Sequence, residues 1–293
     1  MNKIITENRN EKTKDIDLIP TSEIIKKIND EDKLVALAIE KEIDNITLAV
    51  DTIAEQFLKG GKLYYFGAGT SGRLGVLDAS ECPPTFGVDS DMVKGIIAGG
   101  DRALRYAIEG AEDNFELGKK DSETLCDKDV CVLISASGNP NYLLGVGQTA
   151  KEKSCKIIAL TSNPEAKILN ISDIKICVRV GAEVITGSSR MKAGTAQKMV
   201  LNMLSTASMI KIGKTYENFM IDVKATNIKL KNRAIQIVKE ITSCDEITAE
   251  DALKNCNWSV KTACLMLIKG ISKTEAKEIL LNNSGVLRKA IKE

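Results

Sequence analysis

Two short segments of the chain combine glycine with hydroxyl side chains in a spacing that suits anion binding. Residues 67–73 read GAGTSGR and residues 135–141 read SASGNPN. Glycine lets the backbone approach a ligand closely, and hydroxyl groups add donors beside the free N–H groups at a helix amino terminus. The two segments therefore predict a site for a phosphate or for sugar hydroxyls. Its candidate residues are Thr70, Ser71, Ser135 and Ser137.

Each segment also has a second interpretation. The first matches GxGxxG, the dinucleotide-binding pattern, but that pattern requires an acidic residue at the end of the next strand. Here residues 93–97 lead into Ala98-Gly99-Gly100 instead. The second segment could be an ordinary turn that caps a helix beginning near Asn141. Because both segments follow neighbouring predicted strands, we favour a sugar phosphate over a dinucleotide.

The absence of histidine restricts the chemistry available to the chain. With no histidine among 293 residues, Ser-His-Asp triads, histidine bases and HExxH zinc sites are excluded. Carboxylates are the simplest groups left for proton transfer near neutral pH. The eight cysteines form no CxxC pair, which favours free thiols in a reducing compartment. We expect no metal and no cofactor.

Short apolar runs in the middle of the chain predict the element that positions these loops. Helix-length segments separate the runs, and this alternation is typical of a parallel sheet covered on both faces. Ligands of such sheets lie beyond the carboxyl ends of the strands, where the loops fall. The predicted strands are 63–66, 93–97, 130–134, 156–160 and 174–178.

Helical patterns flank the predicted sheet. We expect residues 1–20 to form a loosely ordered arm, followed by a first helical signal from Thr21 and a longer helix at about 31–58. Strand signals disappear beyond about Tyr216, where short helices and a core position for Trp258 indicate a small helical domain. The predicted domains are an amino-terminal arm with helices at 1–52, a catalytic domain at 53–217 and a helical domain at 218–293. The last four helices are predicted at 226–241, 247–254, 259–269 and 273–281.

Longer motifs resemble a known family. The sheet with its two loops is similar to a sugar isomerase (SIS) phosphosugar-binding domain, which has a flavodoxin-like fold. LDASECPPTFGV at 77–88, IAGGDRALRYAIEGAEDN at 97–114 and GAEVITGSSRMKAGTAQKMVLNMLSTASMIKIGK at 181–214 resemble the N-acetylmuramic acid 6-phosphate etherases. The resemblance extends over almost the whole chain, and the carboxy-terminal helices resemble a UBA-like bundle.

The resemblance implies a lyase that splits the C3 lactyl ether of the phosphorylated amino sugar. The products are D-lactate and N-acetylglucosamine 6-phosphate, as in recycling or catabolism of cell-wall amino sugars. Glu81 and Glu112 match the two catalytic glutamates of the family, with Glu81 as the acid and Glu112 as the base. Sequence does not show which carboxyl is protonated, and both could be ordinary solvated carboxylates. We expect a helix through EGAED to turn Glu109 and Asp113 partly away.

A third loop and one departure from the family pattern affect the binding site. Ser188, Ser189, Arg190 and Lys192 could add hydroxyl groups and positive charge near the substrate. Alternatively, the two cationic residues could pair with carboxylates at a subunit contact. SIS phosphate loops commonly read Ser-x-Ser-Gly-x-Ser/Thr, but the sixth residue of this loop is Pro140. Proline has neither a side-chain hydroxyl nor a backbone N–H group. Another group must then replace that ligand.

Charge and apolar pattern limit the partners of the chain. A net charge of +1 provides no general attraction to nucleic acid, and no apolar run reaches the roughly 20 residues of a membrane span. The expected partner is a small phosphosugar in the cytoplasm. The resemblance implies a homodimer, for which 31–58 and 199–210 offer apolar faces. The rival functions are a sugar-phosphate sensor like the glucokinase regulatory protein, which has two SIS modules, and an aldose-ketose isomerase.

Overall fold

The computed structural model describes residues 7–223, 225 and 227–293. The chain divides into two units. The first contains the described residues up to Ser80 together with Ser90–Ser208, and the second contains Glu81–Asp89 with Met209–Glu293.

A five-stranded parallel sheet forms the centre of the first unit, as predicted. The strand order is β2-β1-β3-β4-β5, which is the flavodoxin-like order. Gly67 at the end of β1 lies opposite Ile97 of β2 and Ile134 of β3. The loops after these three strands therefore leave the sheet at the same edge. The strands are β1 (Leu63–Gly67), β2 (Val93–Ile97), β3 (Val130–Ile134), β4 (Lys156–Thr161) and β5 (Ile174–Cys177).

Helices cover the sheet and bury its apolar runs. Every residue of β1 and β3 is buried, which explains why these strands read as continuous apolar segments instead of alternating ones. None of the described helices has the length and apolar character to cross a bilayer. The helices that begin in this unit are α1 (Thr21–Glu40), α2 (Ile43–Leu58), α3 (Gly69–Phe86), α4 (Phe115–Asp121), α5 (Asn141–Glu152) and α6 (Lys192–Lys211).

The prediction of one helix over 31–58 was wrong at Lys41 and Glu42, where α1 ends and α2 begins. No glycine or proline marks this break. The Glu42 carboxylate accepts the Cys177 N–H at 3.3 Å and the Asn45 side-chain amide at 2.9 Å. The break between α1 and α2 thus coincides with a hydrogen bond from Glu42 to the end of β5. Local helix propensity does not indicate a break at this position.

The prediction of a loosely ordered arm was wrong for residues 7–20, while residues 1–6 lie outside the described part of the chain. Glu11–Thr13 form a short 3-10 helix capped by Asn10. The buried Thr13 hydroxyl donates to the Val184 carbonyl at 2.8 Å. These contacts attach the segment to the loop that precedes α6.

The second unit is a helical bundle with its own core. A short hairpin of β6 (Thr215–Tyr216) and β7 (Phe219–Met220) precedes the helices, so the expectation that strands end near Tyr216 was wrong. Trp258 packs against the bundle core as predicted, with the Lys231 ammonium 4.9 Å from its ring centre. The helices are α7 (Ile228–Thr242), α8 (Glu246–Asn255), α9 (Val260–Lys269), α10 (Lys273–Asn282) and α11 (Leu287–Lys292).

Candidate active site

The loop after β1 turns directly into α3. A Cβ atom on Gly67 would lie 2.6 Å from the Gly72 nitrogen, so the strand and the first helical turn approach more closely than a side chain allows. Thr70 and Ser71 lie in the first turn of α3, where backbone N–H groups lack helical partners. Such a turn is suited to an anion, and contact of Thr70 and Ser71 with a phosphate stays a prediction.

A residue that the sequence analysis did not select contacts Ser71. The Ser71 hydroxyl donates to Oε1 of Gln197 on α6 at 2.9 Å, and Gln197 is only 2% exposed. Among the described residues, Nε2 of Gln197 has no hydrogen-bond partner. A buried amide that lacks a partner is costly, so this donor is one that a bound ligand could satisfy. No motif in the sequence distinguishes Gln197 from other polar residues of α6.

The loop after β3 is held by its own serine residues. Ser135 is 6% exposed, and its Oγ accepts the Gly138 N–H at 3.0 Å and lies 3.4 Å from Oγ of Ser137. The Ser137 carbonyl accepts the Asn163 side-chain amide at 2.9 Å. Pro140 precedes α5 and supplies no side-chain cap. The structure thus brings Ser135 and Ser137 together in one tight loop beside the β1 loop.

The third predicted loop lies next to the β1 loop. A Cβ atom on Gly194 would lie 3.6 Å from Cγ2 of Thr70 and 3.5 Å from the Ser189 carbonyl oxygen. Ser188 and Ser189 are partly exposed and Arg190 is exposed. The amino-terminal ends of α3 and α6 are therefore neighbours.

Lys192 occupies a different environment from these loop residues. It is 1% exposed, and its ammonium lies 2.6 Å from Oε2 of Glu31, which is 5% exposed. The buried Glu183 carboxylate accepts the N–H groups of Lys192 and Ala193 and so caps α6. The Glu31 carboxylate thus neutralises the Lys192 charge inside the protein. A contact between Lys192 and the substrate stays a prediction.

A buried carboxylate fixes α3 against the rest of the first unit. Asp78 accepts hydrogen bonds from the Tyr65 hydroxyl at 3.0 Å, the Asn202 amide at 2.6 Å and the Ser205 hydroxyl at 3.2 Å. Burial raises the pKa of Asp78, and these three hydrogen bonds oppose that rise. The contacts join α3 to β1 and α6, so they help to orient the first turn of α3.

A cavity of about 380 Å³ lies beside the first turn of α3. Glu112 lines it and is exposed, and the Glu112 carbonyl accepts the Tyr142 N–H at 2.9 Å, which fixes the backbone. The expectation of a helix through EGAED was wrong, because residues 109–113 form a turn in which Gly110 has a φ of +71°. Glu109 consequently lines the same cavity instead of turning away.

Arg73 lines this cavity and, like Gln197, was not among the residues predicted from the sequence. Its Nε donates to the Leu104 carbonyl at 2.9 Å and its Nη2 to the Ala103 carbonyl at 2.7 Å. The GTSGR motif contains this arginine, but the motif alone does not show that it faces a cavity with Glu112. The cavity therefore has one cationic and two acidic residues in its lining.

Glu81, the other predicted catalytic residue, lies on α3 and is exposed. It belongs to the second unit, near Pro83 and Pro84 inside the helix. Within the described residues, no group of three or more acidic or cysteine side chains is arranged to bind a metal ion.

Three family models match the chain. The model of the N-terminal SIS domain of glucokinase regulatory protein matches residues 45–150, and the SIS domain model matches residues 111–207. The model of the C-terminal lid domain of glucokinase regulatory protein matches residues 217–256. These models assign the sheet and its loops to the SIS type of domain.

Solved structures show the same fold. A phosphoheptose isomerase from Neisseria gonorrhoeae superposes with a TM-score of 0.51 at 19% identity, over 64% of this chain and 98% of the isomerase. A phosphoheptose isomerase from Francisella tularensis gives a TM-score of 0.51 at 16% identity, over 66% of this chain and all of the isomerase. At these identities the similarity establishes the fold alone.

Sequence relatives match over the full length. An N-acetylmuramic acid 6-phosphate etherase from Clostridium botulinum is 53% identical over 100% of this chain and 98% of its own length. The etherase from Actinobacillus pleuropneumoniae is 52% identical over 99% of this chain and 96% of its own length. The chain therefore belongs to the N-acetylmuramic acid 6-phosphate etherase family.

Proposed function

We propose that this protein is a carbon-oxygen lyase that cleaves the C3 D-lactyl ether of N-acetylmuramic acid 6-phosphate. The observation that supports this most directly is identity above 50% along the whole chain to relatives named for that reaction. The products are N-acetylglucosamine 6-phosphate and D-lactate, and the reaction belongs to the recycling or catabolism of cell-wall amino sugars.

Glu112 is the proposed base. In the open-chain sugar the C2 proton is acidic because it lies α to the C1 aldehyde. Glu112 takes this proton, the electron pair forms the C2–C3 double bond, and the C3–O bond breaks. Its position on the wall of a cavity, on a backbone held by Tyr142, supports this role.

Glu81 is the proposed acid. It gives a proton to the departing ether oxygen, so that lactate leaves with a hydroxyl group. Water then adds to the unsaturated aldehyde, with oxygen at C3 and hydrogen at C2. The two carboxyl groups suffice for each proton transfer, and each residue alternates between its two protonation states.

The hydroxyl-glycine loops are the proposed phosphate site. Thr70, Ser71, Ser135 and Ser137 lie on loops from adjacent parallel strands, and Ser188, Ser189 and Arg190 lie on the loop next to Thr70. Hydroxyl groups and helix amino termini are suited to a phosphate dianion. We place residues 53–217 in the catalytic domain and 218–293 in the carboxy-terminal helical domain, and we propose a homodimer in the cytoplasm.

Two variants test the reaction and separate the two glutamates. Wild-type protein should release lactate from N-acetylmuramic acid 6-phosphate, and Glu112→Gln should reduce kcat roughly 100- to 10,000-fold. In D2O, Glu81→Gln should still exchange the C2 proton of the substrate although lactate release is lost, whereas Glu112→Gln should lose both. Glu109→Gln is the matched control because Glu109 lines the same cavity. It should retain most of the activity.

The outcomes distinguish the alternatives. Binding of the substrate by folded wild-type protein without lactate release would contradict the lyase and favour a sensor. Formation of a ketose phosphate would favour an isomerase. Full activity of Glu112→Gln would overturn its assignment as the base.

A further inference from the structure

Arg73 provides a fixed positive charge at the cavity that contains Glu112. The guanidinium is partly buried, and two of its three nitrogens donate to the Ala103 and Leu104 carbonyls. No carboxylate of the described residues pairs with it, although Glu109 and Glu112 line the same cavity. The charge is therefore held in place without being neutralised.

The two carbonyl groups orient the guanidinium but leave its charge available. A carbonyl is a neutral dipole, so it accepts a hydrogen bond without contributing a counter-charge. Among the described residues, Nη1 of Arg73 makes no hydrogen bond. Guanidinium groups pair with carboxylates and phosphates through two parallel N–H hydrogen bonds. A guanidinium group that is already oriented loses little conformational entropy when it forms them. The cavity is consequently suited to an anionic group of a ligand.

The substrate of the proposed reaction offers two anionic groups, the phosphate at C6 and the carboxylate of the lactyl group at C3. The proposed phosphate residues Ser71, Ser135 and Ser137 are not part of the cavity lining. The proposed base Glu112 is part of the cavity lining. C3 is bonded to C2, the carbon from which the base removes a proton. The C3 substituent is therefore the group expected beside Arg73.

We infer that Arg73 binds the carboxylate of the lactyl leaving group. This inference rests on the proposed etherase function. The carboxylate has the same charge before and after the C3–O bond breaks, so Arg73 stabilises substrate and transition state alike. Such uniform binding lowers KM and leaves kcat nearly unchanged. The same contact makes the site selective for ethers whose leaving group has a carboxylate.

The first experiment compares two ligands that differ only in the lactyl group. Arg73→Gln in the full-length protein should raise KM for N-acetylmuramic acid 6-phosphate roughly 10- to 100-fold, as expected for a hydrogen bond to a charged group. Its kcat and its affinity for N-acetylglucosamine 6-phosphate should change less than about twofold. Arg105→Gln is the matched control, because Arg105 is exposed nearby and lies outside the cavity lining. It should leave every constant unchanged.

A second measurement begins with wild-type protein, in which no folding defect of a variant can affect the result. An ether in which the lactyl carboxylate is replaced by a primary amide should show a KM raised by the same roughly 10- to 100-fold. Arg73→Gln should erase this difference. Equal KM values for acid and amide in the wild type, or parallel loss of affinity for both sugars in Arg73→Gln, would overturn the inference. Failure of wild-type protein to release lactate would instead refute the proposed function.

Discussion

Glu31 and Lys192 form a buried ion pair that connects α1 to the beginning of α6. Lys12 and the Asn10 amide also bond to the Glu31 carboxylate, at 3.2 Å and 2.9 Å. Burial by itself raises the pKa of Glu31, but hydrogen bonds from Lys192 and Lys12 outweigh it and hold the pKa below its ordinary value. The pair therefore stabilises the loop region next to Thr70.

Removing the carboxylate charge should destabilise the protein strongly. Glu31→Gln leaves the Lys192 ammonium buried without a counter-charge, so the free energy of unfolding should fall by about 3 kcal/mol at pH 7. A carboxyl with a lowered pKa contributes stability above its unfolded-state pKa of about 4.3, and this contribution is lost as pH falls through the folded-state value. The difference between the two proteins should therefore shrink in acid.

Urea denaturation of both proteins from pH 7 down to pH 3 measures this difference. Asp30→Asn is the control, because Asp30 is adjacent in sequence and pairs with Lys26 and Lys33 on the exposed face of α1. That change should have little effect, since exposed pairs contribute little. A Glu31→Gln effect that is small, or that grows in acid, would contradict the argument.

At the level of elements, buried strands were the most predictable part of the chain. A parallel strand covered on both faces requires a continuous apolar run, as β1 and β3 show. All five predicted runs end within one residue of the observed strands, including β2 and β5, which are only partly buried. The EGAED segment was not predictable in this way. Its Glu and Ala residues have good helix propensity, but Gly110, a poor helix former, adopts a positive φ, and the Glu112 carbonyl bonds to Tyr142 at the start of α5. Contacts distant in sequence override local propensity there.

In the candidate site, the contacts of Arg73 and Gln197 could likewise not be predicted from the local sequence. Sequence motifs identify residue types on a loop, but the partners of these two side chains come from other elements. Arg73 bonds to carbonyl groups that follow β2, and Gln197 meets Ser71 across two helices. Glu112 was accessible to prediction only because it lies in a family motif.

Gly138 sets the shape of the loop after β3. Its φ is +68°, and a Cβ atom there would lie 2.2 Å from Cβ of Ala166. Gly138→Ala should therefore combine backbone strain of about 1 kcal/mol with a packing cost of about 1 to 3 kcal/mol. It should also raise KM for the phosphosugar, because Ser135 bonds to the Gly138 N–H.

Gly60→Ala is the control for Gly138→Ala, because it introduces backbone strain without steric overlap. Gly60 has a φ of +81°, and a Cβ atom there would have nothing within 4 Å. This variant should lose about 1 kcal/mol and keep its KM. Thermal unfolding and steady-state kinetics measure both effects. Equal stability losses in the two variants, or an unchanged KM in Gly138→Ala, would mean that the loop does not depend on this glycine.

On the scale of the whole molecule, the two units have separate apolar cores. One core lies on one face of the sheet and includes Phe66, Leu133 and Tyr142. The other lies within the helical bundle and includes Leu253 and Leu265. The effect of a core substitution on stability should thus depend on the packing of the unit that contains it.

Exposed apolar residues concentrate on the first two helices. Leu37 is 57% exposed on α1 and Leu48 is 55% exposed on α2, and four further large apolar side chains of the two helices are at least 39% exposed. Exposed apolar side chains that occur together on consecutive helices mark interaction sites more often than ones scattered singly over a surface. These helices are therefore the proposed face of the homodimer.

Introducing charge on this face should dissociate the proposed dimer. In Leu37→Glu/Leu48→Glu, two carboxylates would be buried without partners at the interface, a cost that association cannot offset. Sedimentation equilibrium should give twice the chain mass of 31.8 kDa for wild-type protein and the single-chain mass for the variant. Ile247→Glu is the control, because Ile247 is 75% exposed on α8 of the other unit. A wild-type protein that sediments as a single chain, or a doubly substituted protein that stays dimeric, would contradict this assignment of the face.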